Sequence, residues 1–174
     1  MVKLVVAAAA VMATVGLAKA DTFGKFTITE FLEAEQTACM ATNIYHEARN
    51  ESEIGQRAVA FVVLNRVNSP DYPSTVCDVV YEAETRPHWK TGTPVPRRNR
   101  CQFSWYCDGK SDIIKDKNKY DRAFDIARDV MRSYGEVFDP TDGSTYYHAN
   151  YVNPNWKHLK RVVRIDTHIF YREK

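Results

Sequence analysis

Beyond its first twenty residues the chain has no apolar run long enough to span a bilayer, so no later segment is expected to cross a membrane. Neither sign of charge is in excess there. Two of the 24 basic residues, Lys3 and Lys19, belong to the opening segment, which leaves 22 against 22 acidic ones. That balance excludes the broadly basic surface with which nucleic-acid binders hold phosphate. The absence of internal repeats and of low-complexity tracts after residue 20 excludes solenoids and linker-like chains. No His-x-x-x-His spacing occurs, which removes the usual helical zinc motif, and no Gly-x-Ser-x-Gly elbow presents a serine nucleophile.

What opens the chain is a leader. Lys3 precedes the apolar run from Leu4 to Ala18, and the run ends in Ala18-Lys19-Ala20, small residues placed as a signal peptidase requires. Residues 1–20 are therefore expected to be a signal peptide and residues 21–174 one exported catalytic domain. The four cysteines, Cys39, Cys77, Cys101 and Cys107, all lie in the exported part, where an even count favours two disulfides among three pairings. Cys101 and Cys107 flank a short aromatic stretch and suit a tight loop, leaving Cys39 for Cys77.

From about Glu33 to Arg49, Ala38, Ala41, Ile44, Tyr45 and Ala48 recur at helical spacing, with Asn50 as a left-handed stop. Ser52 caps a second helix, "EIGQRAVAFVVLNRV", which is apolar around nearly its whole circumference and so belongs at the centre. "STVCDVVYE" reads as a short third helix capped by Ser74 or Thr75. Residues 82–100 carry three prolines without periodicity and read as a long surface loop. "CQFSWYCDG" alternates weakly before an Asp-Gly turn, and Tyr120 to Tyr134 marks another amphipathic helix stopped by Gly135. "STYYHANYV" and "RVVRIDTHIFYR", the latter split at Asp166, have the β-branched and aromatic content of strands. The expected class is α+β: mainly helical, with a small antiparallel sheet from the C-terminal third.

The chemistry turns on "NIYHEARNE", residues 43–51, which has His-Glu on a helix but Asn50 where a zinc site needs its second histidine. Glu47 is thus expected to work without a metal. Near a helix C-terminus the backbone carbonyls disfavour an ionised carboxylate, and neighbouring aromatics push the same way, so Glu47 is suited to hold a proton as a general acid. A bland reading of the same residue is a helix-end carboxylate paired with an arginine.

The ordered blocks "NIYHEARNE", "GQRAVAFVVLNRV", "YPSTVCDVVYE", "CQFSWYCDG", "DPTDGSTYYHA", "NPNW" and "THIFYR" resemble the SleB and CwlJ family of cell-wall hydrolases, over about Ala38 to Arg172. The resemblance implies a lysozyme-like core that degrades the glycan strands of peptidoglycan, with products like those of lytic transglycosylases. It puts the catalytic acid on Glu47 and the lining of the glycan groove on Gln102, Phe103 and Ser104, together with Tyr146, Tyr147 and His148. Trp105 and Trp156 join the tyrosines as rings that stack on sugars or fill the core. Asn50 replaces the family's usual glycine, and Tyr146 stands where a histidine is frequent.

Glu51, one turn past Glu47, is either a pairing residue or a supporting group in the groove, and His168 reads as scaffold. Arg86, Lys90, Arg97, Arg98 and Arg100 form either a solvated basic loop or an attraction for anionic wall components. The expectation is cleavage after N-acetylmuramic acid by a secreted or periplasmic, wall-associated monomer that needs no cofactor, binds no nucleic acid and is not inserted in a membrane. A hydrolytic muramidase, an amidase or peptidase acting on peptide stems, and a non-catalytic wall-binding protein remain alternatives.

Overall fold

The computed structural model describes residues 22–23 and 26–174; the leader expected over residues 1–20 lies outside them. Two short strands, β1 (Thr22–Phe23) and β2 (Phe26–Thr27), pair antiparallel ahead of helix α1 (Ile28–Ala48). α1 buries Ala41, Ile44, Tyr45 and Ala48 of the stripe that the spacing predicts, adds Met40, leaves Ala38 half-buried, and begins several residues earlier than Glu33. No helix among the described residues is long and apolar enough to cross a membrane.

Helix α2 (Glu53–Val67) has the expected bounds because both ends carry local signals. The Ser52 hydroxyl accepts from the Gly55 N–H at 3.3 Å, and Asn68 donates its backbone N–H to the Leu64 carbonyl at 3.0 Å. Every residue from Ala58 to Leu64 is buried, so α2 is wrapped on all sides. On one side lies the cluster of α1, α3 (Val76–Val80) and α4 (Lys117–Ser133), centred on Met40, Ile44, Phe61, Val79, Ile126 and Val130. On the other, Ala58 and Val62 meet Phe170 from the C-terminal sheet.

That sheet has the order β5-β7-β6, all antiparallel, with β5 at Tyr146–Ala149, β6 at Leu159–Ile165 and β7 at His168–Glu173. Asp166 takes the left-handed conformation, φ 48°, in the β6–β7 turn, which is the break expected there. The third helix is capped by Thr75, whose hydroxyl accepts from the Asp78 N–H at 3.2 Å. α4 ends before Gly135, φ 86°, as its sequence predicts.

Two expectations are corrected. Residues 82–100 hold a hairpin rather than a loop: β3 (Ala83–Pro87) pairs with β4 (Pro94–Cys101) around a turn in which the His88 N–H reaches the Thr93 carbonyl at 2.8 Å. Both strands are edges of a two-stranded ribbon and mostly exposed, so their sequence shows no apolar alternation and tolerates proline. Asn50 is not left-handed; among described non-glycine residues only Asn99, Asp142 and Asp166 have positive φ. The α1 end closes instead through the Glu51 N–H to the Ala48 carbonyl at 2.9 Å, while the Asn50 side chain accepts from Lys119 Nζ at 2.7 Å.

The disulfides are Cys39–Cys77 and Cys101–Cys107, as expected. The first closes a sequence separation of 38 and ties α1 to α3; the second encloses a 3-10 turn at Ser104–Cys107 in place of the weak alternation read there. Replacing Cys39 and Cys77 together by serine is expected to lower unfolding free energy by about 2–4 kcal/mol, measured by denaturant titration. A double variant as stable as the parent would show that α1 and α3 do not need the tie.

Candidate active site

Glu47 stands in the last turn of α1, on the flank of the buried stripe that Ile44 and Ala48 define. Part of its side chain reaches the surface, yet burial is the main influence on its carboxyl and raises its pKa. Two groups oppose the rise: first the Tyr147 hydroxyl, then the positive charge of Arg66. The direction is the one expected from the sequence; the dominant cause is burial rather than the helix-end carbonyls.

Tyr147 comes from β5. Its register opposite Phe170 places it on the sheet face that packs against α2, where it is tilted against Phe170 at 5.6 Å and meets His168 edge-on at 5.1 Å. Its hydroxyl is buried and faces Glu47, where it favours the ionised carboxylate. Arg66 comes from the last turn of α2 and is 5% exposed. Its Nε donates to the Thr145 carbonyl at 2.8 Å, and its guanidinium carbon lies 5.2 Å from the ring centres of both Tyr72 and Phe103. Phe103 in turn sits 6.5 Å from the Tyr147 ring. Two elements, β5 and α2, therefore bring groups to one carboxyl, and Phe103 packs against both of those groups.

The remaining expected groove residues divide. Phe103 is buried beneath the site, while Gln102 and Ser104 on either side of it are exposed. Alternation along β5 sends Tyr146 and His148 to the sheet face opposite Tyr147. There His148 stacks on Tyr171 at 5.3 Å, holds that residue's hydroxyl at 3.0 Å through Nε2, and contacts Trp156 edge-on at 5.4 Å. Tyr146 also touches Trp156, at 5.8 Å, and turns its edge to Tyr72 at 6.5 Å, close to Arg66. Trp105 is buried; its indole N–H donates to Asn43 Oδ1 at 3.0 Å and its face stacks on His46 at 4.5 Å.

Glu51 is occupied elsewhere. Its carboxylate accepts from the Thr167 hydroxyl at 2.7 Å and the Thr167 N–H at 3.2 Å. Beside it, Asp166 Oδ2 accepts from the Ser52 hydroxyl at 2.6 Å and N–H at 3.0 Å. The β6–β7 turn is thus fastened to the α1–α2 joint just past Glu47, and a Cβ at Gly55 would collide with the Asp166 carboxylate in that fastening. Among the described residues no group of three or more His, Cys, Asp or Glu is placed to hold a metal ion.

Of the basic residues on the hairpin, Arg97 and Arg100 meet Glu84 at 3.0 and 3.8 Å, and Lys90 covers the exposed Trp89 ring at 4.6 Å. A groove between α1 and α4, lined by Phe31, Thr37, Phe124 and Met131, lies more than two helical turns from Glu47. Arg66 is the site residue that sequence reasoning missed. Its signal was present: a helix apolar all round leaves a cation in its last turn no wet side to occupy.

A family profile described as Cell Wall Hydrolase matches residues 50–171, beginning just after Glu47. The spore cortex-lytic enzyme of Halalkalibacterium halodurans is 31% identical over 133 residues, covering 75% of this chain and 33% of that protein. The spore cortex-lytic enzyme of Bacillus cereus is 29% identical over 133 residues, covering 75% and 42%. The chain thus spans between a third and about two fifths of these curated relatives. The crystal structure of the catalytic domain of the Bacillus cereus SleB protein is similar with a TM-score of 0.53 and 27% identity, covering 79% of this chain and 89% of that one. The catalytic domain of the germination-specific lytic transglycosylase SleB from Bacillus anthracis has a TM-score of 0.57 and 25% identity, covering 87% and 100%. The α+β architecture is lysozyme-like, as in those domains.

Proposed function

From the premise that the chain belongs to the cell wall hydrolase family, we propose that it cleaves the glycan strands of peptidoglycan after N-acetylmuramic acid, as a lytic transglycosylase with Glu47 as its single acid and base. The observation that carries this reading is a carboxyl whose pKa burial raises, with Tyr147 and Arg66 as the groups that oppose the rise and no second carboxylate among them.

Glu47 gives its proton to the glycosidic oxygen as the bond from the anomeric carbon breaks, and an oxocarbenium-like centre develops. A hydrolase would need a second carboxylate to deliver water or to bond that centre. Glu51, the nearest candidate in sequence, is committed to Thr167. The sugar's own 6-hydroxyl closes onto the anomeric carbon, and its proton passes to the ionised Glu47, which restores the acid. Tethering favours this closure by several kcal/mol, on the order of 7 or more in well-oriented cases.

Such a chain works outside the cytoplasm, carried there by the leader at residues 1–20, and acts as a monomer against the wall. Its two disulfides suit an oxidising compartment. Digestion of purified sacculi in ¹⁸O-labelled water is expected to give 1,6-anhydro-muramic ends, unlabelled at the anomeric carbon. Labelled reducing ends as the main product would replace this mechanism with that of a muramidase.

A further inference from the structure

Among the described residues Arg66 is the only Asp, Glu, Lys or Arg in the fully buried class, and no carboxylate lies within ion-pair distance of it. Stripping a guanidinium of water costs several kcal/mol unless its surroundings compensate. Two aromatic faces and the Thr145 carbonyl supply part of that compensation. They leave Nη1 buried with no partner. A purely structural arginine joining α2 to β5 accounts for the Nε bond and the stacked rings, but not for a buried donor left without a partner on a guanidinium whose charge acts on the Glu47 carboxyl.

We propose that Arg66 is the positioning residue for Glu47, its free Nη1 being the fixed charge toward which the Glu47 carboxyl ionises on giving up its proton and against which the carboxylate waits for the proton to return. The proposal rests on the reading of Glu47 as the acid. The geometry fits a group that must be neutral first and charged later. A full ion pair at rest would ionise Glu47 before substrate arrived, whereas no charge at all would make the buried carboxylate a poor product of proton donation. A cation nearby but unpaired acts mostly on the state formed during reaction, where stabilisation raises the rate. Arginine suits the place because its planar group stacks between Tyr72 and Phe103, which an ammonium cannot do as well.

The test uses Arg66→Gln, which keeps a donor for the Thr145 carbonyl but removes the charge, and Arg66→Lys, which keeps the charge. Each is checked for folding by circular dichroism. Sacculus cleavage is followed across pH, and the Glu47 carboxyl is titrated by ¹³C NMR, its signal identified by its loss in Glu47→Gln. Arg66→Gln is expected to lose at least about tenfold in rate at saturating substrate. Its Glu47 is expected to titrate at higher pH, because the neighbouring positive charge that favoured ionisation is gone, and the alkaline limb of activity moves with it. Arg66→Lys returns both toward the parent.

A folded Arg66→Gln whose Glu47 titration and alkaline limb stay in place overturns the proposal, whatever its rate. Should Arg66→Gln fail to fold, the unaltered protein decides: the ¹⁵N signals of the Arg66 guanidinium follow the Glu47 titration if the two are coupled, and ignore it if they are not. Near-parental activity in Glu47→Gln overturns instead the acid reading beneath. Loss of activity in that variant together with an uncoupled Arg66 overturns this inference alone.

Discussion

Glu47→Gln is expected to lower the release of glycan fragments from sacculi at least about 100-fold, the usual loss when a general acid is removed. Folding and binding to the wall should survive. Apart from the approach of Tyr147, the Glu47 carboxyl makes no contact that holds the fold together among the described residues. The amide has the same shape, and it ends the cost of ionising a buried carboxylate, so the melting temperature is expected to stay level or rise. The pH profile carries the same signature. Donation requires the protonated acid, and burial raises the pKa of Glu47. Activity in the parent therefore persists above the ordinary carboxylate range and falls as pH rises through the elevated pKa. A Gln variant that clears sacculi at close to the parental rate would make Glu47 structural and send the search for the acid elsewhere.

Phe170→Ala is expected to cost about 3–5 kcal/mol of stability, measured by denaturant unfolding. Phe170 is fully buried and forms the contact of the sheet with Ala58 and Val62 of α2. It also backs the Tyr147 ring at 5.6 Å, so the cavity left by its removal would open directly behind a residue that faces Glu47. Cleavage should fall further than the folded fraction alone accounts for. A variant less than about 1 kcal/mol weaker than the parent would mean that the sheet is held to α2 by something other than this packing.

Much of this was legible in the chain because the signals were local. α2 declares its start with Ser52, its end with the residues after Val67, and its central place by an apolar circumference. The C-terminal strands show their break at Asp166, and four cysteines suggest their pairs by spacing. What stayed hidden depends on surroundings. The hairpin of β3 and β4 packs neither face on a core, so nothing in its sequence alternates. The end of α1 is settled by a turn and by the bond of the Asn50 side chain to Lys119, a residue far along the chain, and not by a left-handed Asn50.

At the site, Glu47 could be picked out because its helix and its place in the last turn are readable. Neighbouring strand residues must diverge, so Tyr146 and Tyr147 were bound to part; which of them faces Glu47 follows only from the pairing with Phe170. Arg66 needed the position of the helix in three dimensions. A side chain that every neighbour covers looks, in sequence, like any other cation near a helix end.

The fastening of Glu51 and Ser52 by Thr167 and Asp166 has a consequence for the order in which the domain assembles. Those partners lie 116 and 114 residues apart, so the joint after Glu47 is secured only by closing a very long loop. Local helices form within microseconds, whereas contacts this distant come late along the folding route. A chain still emerging from the ribosome or the export channel carries Glu47 long before it carries Thr167. The surroundings of Glu47 are therefore complete only when the last hairpin docks, near the end of the chain's synthesis.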